Sequence, residues 1–106
     1  MTKKLFISQP MSGLTDEEVV VKRQEAILDA TRICKETFGE DTEVEVLETL
    51  FDDYNPEYNH AWFLGKAIMS LSQADVAYFA DGWEAKRGCK VEHLVAEEYG
   101  IEIIKE

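Results

Sequence analysis

Apolar residues along this chain gather into four short runs, separated by longer stretches in which they recur at helical spacing. Lys4-Leu5-Phe6-Ile7-Ser8 is the first run, and Gln9-Pro10-Met11-Ser12-Gly13 closes it, which predicts a strand ending in a tight loop. Thr15 and Glu18 then form a capping box: the threonine hydroxyl accepts from a backbone N–H near the helix start, and the glutamate returns the bond. Asp16 and Glu17 complement the helix dipole. Val19, Ala26, Ile27, Ala30, Ile33, Cys34 and Phe38 keep the helical period, and Gly39 supplies the stop, so this helix runs to about Phe38.

Val44 to Leu47 reads as a second strand, followed by an irregular polar and aromatic loop from Phe51 to His60 around Asn55-Pro56. A second helix, about Ala61 to Leu71, presents Phe63 or Leu64 together with Ala67, Ile68 and Leu71 to the core. Val76 to Ala80 makes a third strand, Cys89 to Tyr99 a third helix capped by Gly100, and Ile101 to Ile104 a last strand. This alternation forces right-handed crossovers, hence an α/β fold with a mainly parallel sheet covered by helices on both faces. One reversal at the first strand gives the order 2-1-3-4. With 106 residues and 45% hydrophobic content, residues 1–106 form one domain.

Charge narrows the partners. Eleven Lys and Arg face 22 carboxylates, a formal net charge of −11, which argues against a nucleic-acid polymer because such binding depends on cationic side chains displacing counterions. A small-molecule ligand fits better. No apolar run approaches the ~20 residues that span a bilayer, and Lys3 and Lys4 precede only three apolar residues, so neither a membrane partner nor a leader is expected and the compartment is read as cytoplasmic. Cys34 and Cys89 lack metal-ligand spacing and are too few for a disulfide framework; no metal and no cofactor is expected. Cys34 reads as core filler, whereas Cys89, near a helix start, has an inert and a low-pKa reading. Four strands cover little area, and Phe51, Tyr54, Trp62 and Phe63 are left partly exposed in a monomer, so a homo-oligomer is expected.

In a parallel sheet the loops after strands one and three leave at the same edge, so Ser8 to Gly13 and Asp81 to Gly88 line one crevice. The first loop (Ser8, Gln9, Pro10, Met11, Ser12, Gly13) offers backbone N–H groups, hydroxyls and a close approach at glycine; it matches neither a dinucleotide nor a P-loop fingerprint. The second offers carboxylates at Asp81 and Glu84, the indole of Trp83, and Arg87 and Gly88 before the helix that carries Glu92. Each residue has two readings. Glu92, near a helix N-terminus, is either a dipole complement or an ionised nucleophile for an electrophilic sugar carbon. Trp83 either stacks on a ligand ring or closes the core edge, and Arg87 pairs either with a ligand phosphate or with Glu84. His93 points about 100° away from Glu92 and reads as packed or solvated; His60 joins no constellation.

Phe6-Ile7-Ser8-Gln9-Pro10-Met11-Ser12-Gly13-Leu14, Ala74-Asp75-Val76-Ala77-Tyr78-Phe79-Ala80-Asp81-Gly82-Trp83-Glu84 and Arg87-Gly88-Cys89-Lys90-Val91-Glu92-His93 together resemble a small bacterial and phage domain family of unassigned function. That family is similar to the nucleoside 2-deoxyribosyltransferases and the deoxynucleoside 5′-monophosphate N-glycosidases. The resemblance implies a flavodoxin-like three-layer sandwich and a nucleoside or nucleotide ligand. It also implies that Glu92 attacks the anomeric carbon to form a deoxyribosyl intermediate, which a second base or water resolves. Two positions depart from those enzymes. Phe6 stands where a tyrosine hydroxyl orients the nucleophile, and the helix Phe63 to Ser70 lacks the aspartate that handles the leaving base's proton, a role left to Asp81 or Glu84. Three functions follow: an enzyme acting on N-glycosidic bonds, a non-catalytic nucleotide-binding module of the same fold, or a ligand-free interaction domain.

Overall fold

The computed structural model describes residues 1–51 and 53–105. Its elements run β1 (Thr2–Ser8), α1 (Asp16–Phe38), β2 (Glu43–Val46), α2 (Ala61–Leu71), β3 (Val76–Phe79), a single 3-10 turn at Trp83–Ala85, α3 (Arg87–Glu98) and β4 (Glu102–Lys105). The four strands form one parallel sheet in the order β2-β1-β3-β4, with Leu5 opposite Val46 on one side and Val76 on the other.

Strand alternation divides the core in two. Leu5, Ile7, Val76, Tyr78 and Ile104 point to one face and pack against Ala26, Ala30 and Cys34 of α1. Phe6, Ala77 and Phe79 point to the other and pack against Ala67 and Leu71 of α2 and Ala96 of α3. One helix on one face and two on the other make the three layers, and that split is what right-handed crossovers require when the chain winds first toward β2 and then back across β1 to β3 and β4. Every residue of β3 is buried, as expected of a central parallel strand.

The ends of α1 follow from local chemistry. Thr15 accepts from the Glu18 N–H at 3.1 Å, and Glu18 Oε1 accepts from the Thr15 N–H at 3.0 Å, completing the capping box. Gly39 ends the helix at φ 119°, a conformation that favours glycine, and returns its N–H to the Lys35 carbonyl. On α2 the core contacts are made by Ala67, Ile68 and Leu71, whereas neither Phe63, which is exposed, nor the half-buried Leu64 joins them. α3 starts at Arg87, earlier than the apolar pattern predicts, because its N-cap is Lys86, which makes no capping bond and leaves no cue in the sequence. No helix among the described residues is long and apolar enough to cross a membrane.

Candidate functional site

The chain reverses its winding direction between β1 and β3, and at such a switch point the two loops splay apart and leave a crevice beyond the carboxyl ends of the strands. The loops nevertheless touch at their base. Ala80 N–H donates to the Ser8 carbonyl at 3.0 Å, and Pro10 Cγ lies 3.6 Å from where a Cβ on Gly82 would sit. Gly82 has φ 89°, and the turn it makes separates its neighbours: Asp81 faces α1, and Trp83 faces α3.

Ser8 is the last residue of β1 and shares the parity of Phe6, so its side chain faces α3. There its hydroxyl donates to Glu92 Oε1 at 2.6 Å, the length of a charge-assisted O–H···O⁻ bond. Glu92 lies in the second turn of α3, beyond the reach of the helix-end field, which falls off within the first turn. The expectation of an anion stabilised by the dipole is therefore corrected. Burial pushes the Glu92 carboxyl above its ordinary range, and the Ser8 hydroxyl pulls it part of the way back. Cys89, buried one turn earlier on the same helix, is likewise pushed up, first by burial and also by the Glu92 charge, with the Ser8 hydroxyl opposing. Its inert reading holds: the thiol stays protonated at neutral pH.

Ser8, Cys89 and Glu92 lie in an open cleft of about 1710 Å³. Its walls are the loop Gln9 to Ser12, the start of α1 at Asp16 and Val19, the start of α3 at Lys86 to Gly88, and the β2–α2 connection with the exposed face of α2. That connection is tied down at its origin. Arg23 of α1 donates to Thr49 Oγ1 at 2.5 Å and to the Leu47 carbonyl at 3.1 Å, and Ser70 Oγ donates to the Glu48 carbonyl at 2.8 Å. Further on, Tyr54 stacks on Phe63 with centroids 4.5 Å apart and meets His60 and Trp62 edge-on, so the aromatic residues form one cluster at the cleft lip.

Of the residues singled out from sequence, Ser8, Gln9, Pro10, Met11, Ser12, Arg87, Gly88 and Glu92 line this cleft. Asp81 does not. It lines a smaller concavity on the α1 face, with Gln9, Pro10 and Ser12 as the shared wall, and a carboxylate there is not brought together with Glu92. Gly13 and Glu84 are exposed and line neither concavity. Trp83 closes the core edge: its ring lies parallel to His93 at 4.0 Å, 5.6 Å from Phe79, with Lys105 Nζ above it at 5.2 Å. His93 is buried in that stack, with Nδ1 2.8 Å from Glu97. Arg87 is exposed and makes no ion pair with Glu84.

Conversely, the cleft contains titratable groups to which the linear pattern assigned no role. His60, at the N-cap of α2, together with Tyr54, Tyr58 and Asp53, shares the cleft with Glu92. The dense aromatic composition of residues 51–63 was the available signal, but only the fold carries that segment to the strand edge. No group of His, Cys, Asp and Glu suited to holding a metal ion occurs among the described residues.

Fold and site together define a small doubly wound α/β domain with a carboxylate-bearing cleft at its switch point. Residues 3–105 match the family described as "Domain of unknown function (DUF4406)", and the chain belongs to that family. Comparison with curated proteins and with solved structures gave no match.

Proposed function

We propose that this protein acts on the N-glycosidic bond of a 2-deoxynucleoside or its monophosphate, with Glu92 as nucleophile and Ser8 as the residue that positions it. The observation that carries this reading is the 2.6 Å bond between Ser8 Oγ and Glu92 Oε1 inside the cleft. Phe6 offers no hydroxyl, and Ser8, two residues on and on the same face, provides an orienting donor to the carboxylate. A nucleophile held in one orientation has less entropy to lose at the transition state. In the first step a Glu92 oxygen forms a bond to the anomeric carbon while the carbon–nitrogen bond breaks, and the electron pair leaves with the base. The base takes up a proton, for which the His60 imidazole, which lines the same cleft as Glu92, is the donor we assign. Water or a second base then attacks the same carbon and releases Glu92, so configuration at the sugar is retained.

Burial of Glu92 suits this task, because a poorly hydrated carboxylate is a stronger nucleophile toward a developing cation than one in bulk water. Lys86 and Arg87, at the start of α3, give an otherwise acidic chain a cationic stretch of cleft wall that favours an anionic group on the ligand. Incubation of the purified protein with a panel of 2′-deoxynucleosides and monophosphates, with and without acceptor bases, tests the reading by chromatography of free base. Glu92→Ala should lose on the order of a thousandfold in rate or more, a barrier increase of several kcal/mol.

A second reading, a nucleotide-binding module without turnover, is favoured by one observation: Asp81 lies outside the cleft, so the carboxylate proposed to protonate the leaving base is not at hand. Binding of deoxynucleotides with no base released, and equal binding by Glu92→Ala, would decide for that module.

A further inference from the structure

The outer stripe of α3 carries its charges in an order that its own helix disfavours. At about 100° per residue, Arg87, Lys90, Val91, Leu94, Glu97 and Glu98 fall within an arc of about 120°, on the side away from the buried Cys89, His93 and Ala96. From the start of the helix onward the stripe is basic, then apolar, then acidic. The macrodipole favours anions in a first turn and cations in a last turn, which is the reverse. α1 obeys that preference, with Asp16, Glu17 and Glu18 at its start and Lys35 at its end, whereas α3 has no acidic residue in its first turn and no basic one in its last.

Nor do these charges serve one another within the chain. Arg87 and Glu98 stand about 16 Å apart along the axis, and Arg87, Lys90 and Glu98 form no ion pair among the described residues. Glu97 meets only His93 Nδ1, through one of its two oxygens. Between the charged ends Val91 is 39% and Leu94 55% exposed, so the middle of the stripe is apolar surface left in water.

We propose that this stripe is the contact between two copies of the chain, their α3 helices antiparallel about a two-fold axis that passes midway between Val91 and Leu94. Such an interface is isologous, so each residue meets the one equally far from the axis on the other copy. Val91 then faces Leu94 of the second copy, Arg87 faces its Glu98, and Lys90 lies beside its Glu97 on the same flank. The pattern is its own complement only in the antiparallel sense, and there each helix start, with its cations, lies against the acidic end of the other. Charge also says why the occupant is a second copy and why it docks here. The chain has a net charge of −11, so two copies repel over most of their surface, whereas this stripe sets Arg87 and Lys90 against Glu97 and Glu98 and carries no net charge. Burial of Val91 and Leu94 supplies the attraction, and the charges fix orientation and register. One helix from each copy covers less than a standard interface, so the dimer is reversible, with a dissociation constant roughly micromolar or weaker.

Sedimentation equilibrium of the full chain, over concentrations that bracket that constant, is the test. The expected result is a reversible monomer–dimer equilibrium that Leu94→Glu weakens by at least about thirtyfold, the effect of losing a central anchor. Arg87→Glu and Glu98→Arg each set like charges against one another across the axis and weaken association by about tenfold or more. Both substitutions also bring α3 into line with its dipole, so thermal melts of the dilute proteins are not lowered, which separates lost association from lost folding. Mixing the two single variants restores association, because each presents the charges the other now lacks, and the chain carrying both substitutions pairs with itself again. A chain that stays monomeric throughout, full affinity in Leu94→Glu, which would place the contact on another face, or single reversals that do not recover on mixing would each overturn the proposal. No readout depends on glycosidic activity, so the dimer and the proposed reaction stand or fall separately.

Discussion

Replacing Ser8 by alanine tests whether its hydroxyl serves the Glu92 carboxylate or merely fills space. The bond is 2.6 Å long, Ser8 is buried at 2% exposure, and Glu92 is partly shielded, so water does not readily replace the lost donor. A hydrogen bond to a charged partner contributes about 1.5–3 kcal/mol, and one between neutral groups about 0.5–1.5 kcal/mol. Ser8→Ala should therefore cost roughly 2 kcal/mol at a pH above the raised Glu92 pKa, where the carboxyl is ionised, and about 1 kcal/mol in a Glu92→Gln background, where the acceptor is neutral. The coupling of about 1 kcal/mol is read from a double-mutant cycle of urea unfolding curves at constant slope. Loss of the donor also removes the one influence that lowers the Glu92 pKa, so its carboxyl carbon-13 titration should move further upward in Ser8→Ala. Equal costs in the two backgrounds, together with an unmoved titration, would show that the hydroxyl only packs, and the positioning role would be lost.

Three further outcomes follow from the same geometry. Because burial raises the folded-state pKa of Glu92 above its unfolded value, the stability this group contributes is complete at acidic pH and is lost as pH rises through the folded pKa; Glu92→Gln should thus gain on wild type between acidic and neutral pH in paired melts, and a constant difference would contradict the burial argument. Trp83→Ala, which opens the half-buried stack with His93 and Phe79, should cost about 2–3 kcal/mol in urea unfolding yet leave deoxynucleotide affinity unchanged, since its ring does not line the cleft. His60→Gln should lower any glycosidic rate by roughly a hundredfold or more while stability stays within about 0.5 kcal/mol of wild type, as expected for an exposed proton donor; an unchanged rate would remove His60 from the mechanism.

The sheet was legible because each strand is marked twice, by its own apolar run and by the punctuation around it. Gln9-Pro10 after β1, the Thr15 and Glu18 box, and Gly39 after α1 are local devices, and local devices survive in sequence. Alternation of Leu5 and Ile7 against Phe6 and Ser8 then assigns faces without further information. Three things were not legible. Lys86 caps α3 with no side-chain bond, so the helix start had no marker and Glu92 seemed nearer the N-terminus than it is. The field argument for an ionised Glu92 therefore gave way to burial, which depends on what packs around it and not on its neighbours in the chain. Lastly, the direction taken at Gly82 decides that Asp81 turns to α1 and Trp83 to α3; a glycine with free choice of φ signals that a turn occurs but not which way the flanking side chains go.

The energetics of Glu92 bear on why a carboxylate stands at that position at all. If the only need were to tie α3 to the end of β1, a glutamine would still accept a hydrogen bond from the Ser8 hydroxyl, and would avoid the cost of desolvating a charge. The carboxylate instead sits where burial opposes its charge, has a single hydroxyl donor, and faces an open cleft and not a cationic partner within the fold. Lys86 and Arg87 line the same cleft, but neither forms an ion pair with Glu92 among the described residues. A site that keeps a costly charge poorly compensated has its compensation supplied from outside, by a ligand on which positive charge resides or develops. A sugar carbon that becomes cationic as its base departs meets that requirement, and does so only in the transition state, which is where binding energy accelerates a reaction. The same balance predicts that a stable cationic mimic of that sugar, such as a pyrrolidine iminosugar, should bind wild type more tightly than Glu92→Gln by at least about tenfold, the worth of one ion pair formed in a shielded cleft. Equal affinity, measured calorimetrically at neutral pH, would mean that the Glu92 charge does not act on the cleft's occupant, and the catalytic reading would fall with it.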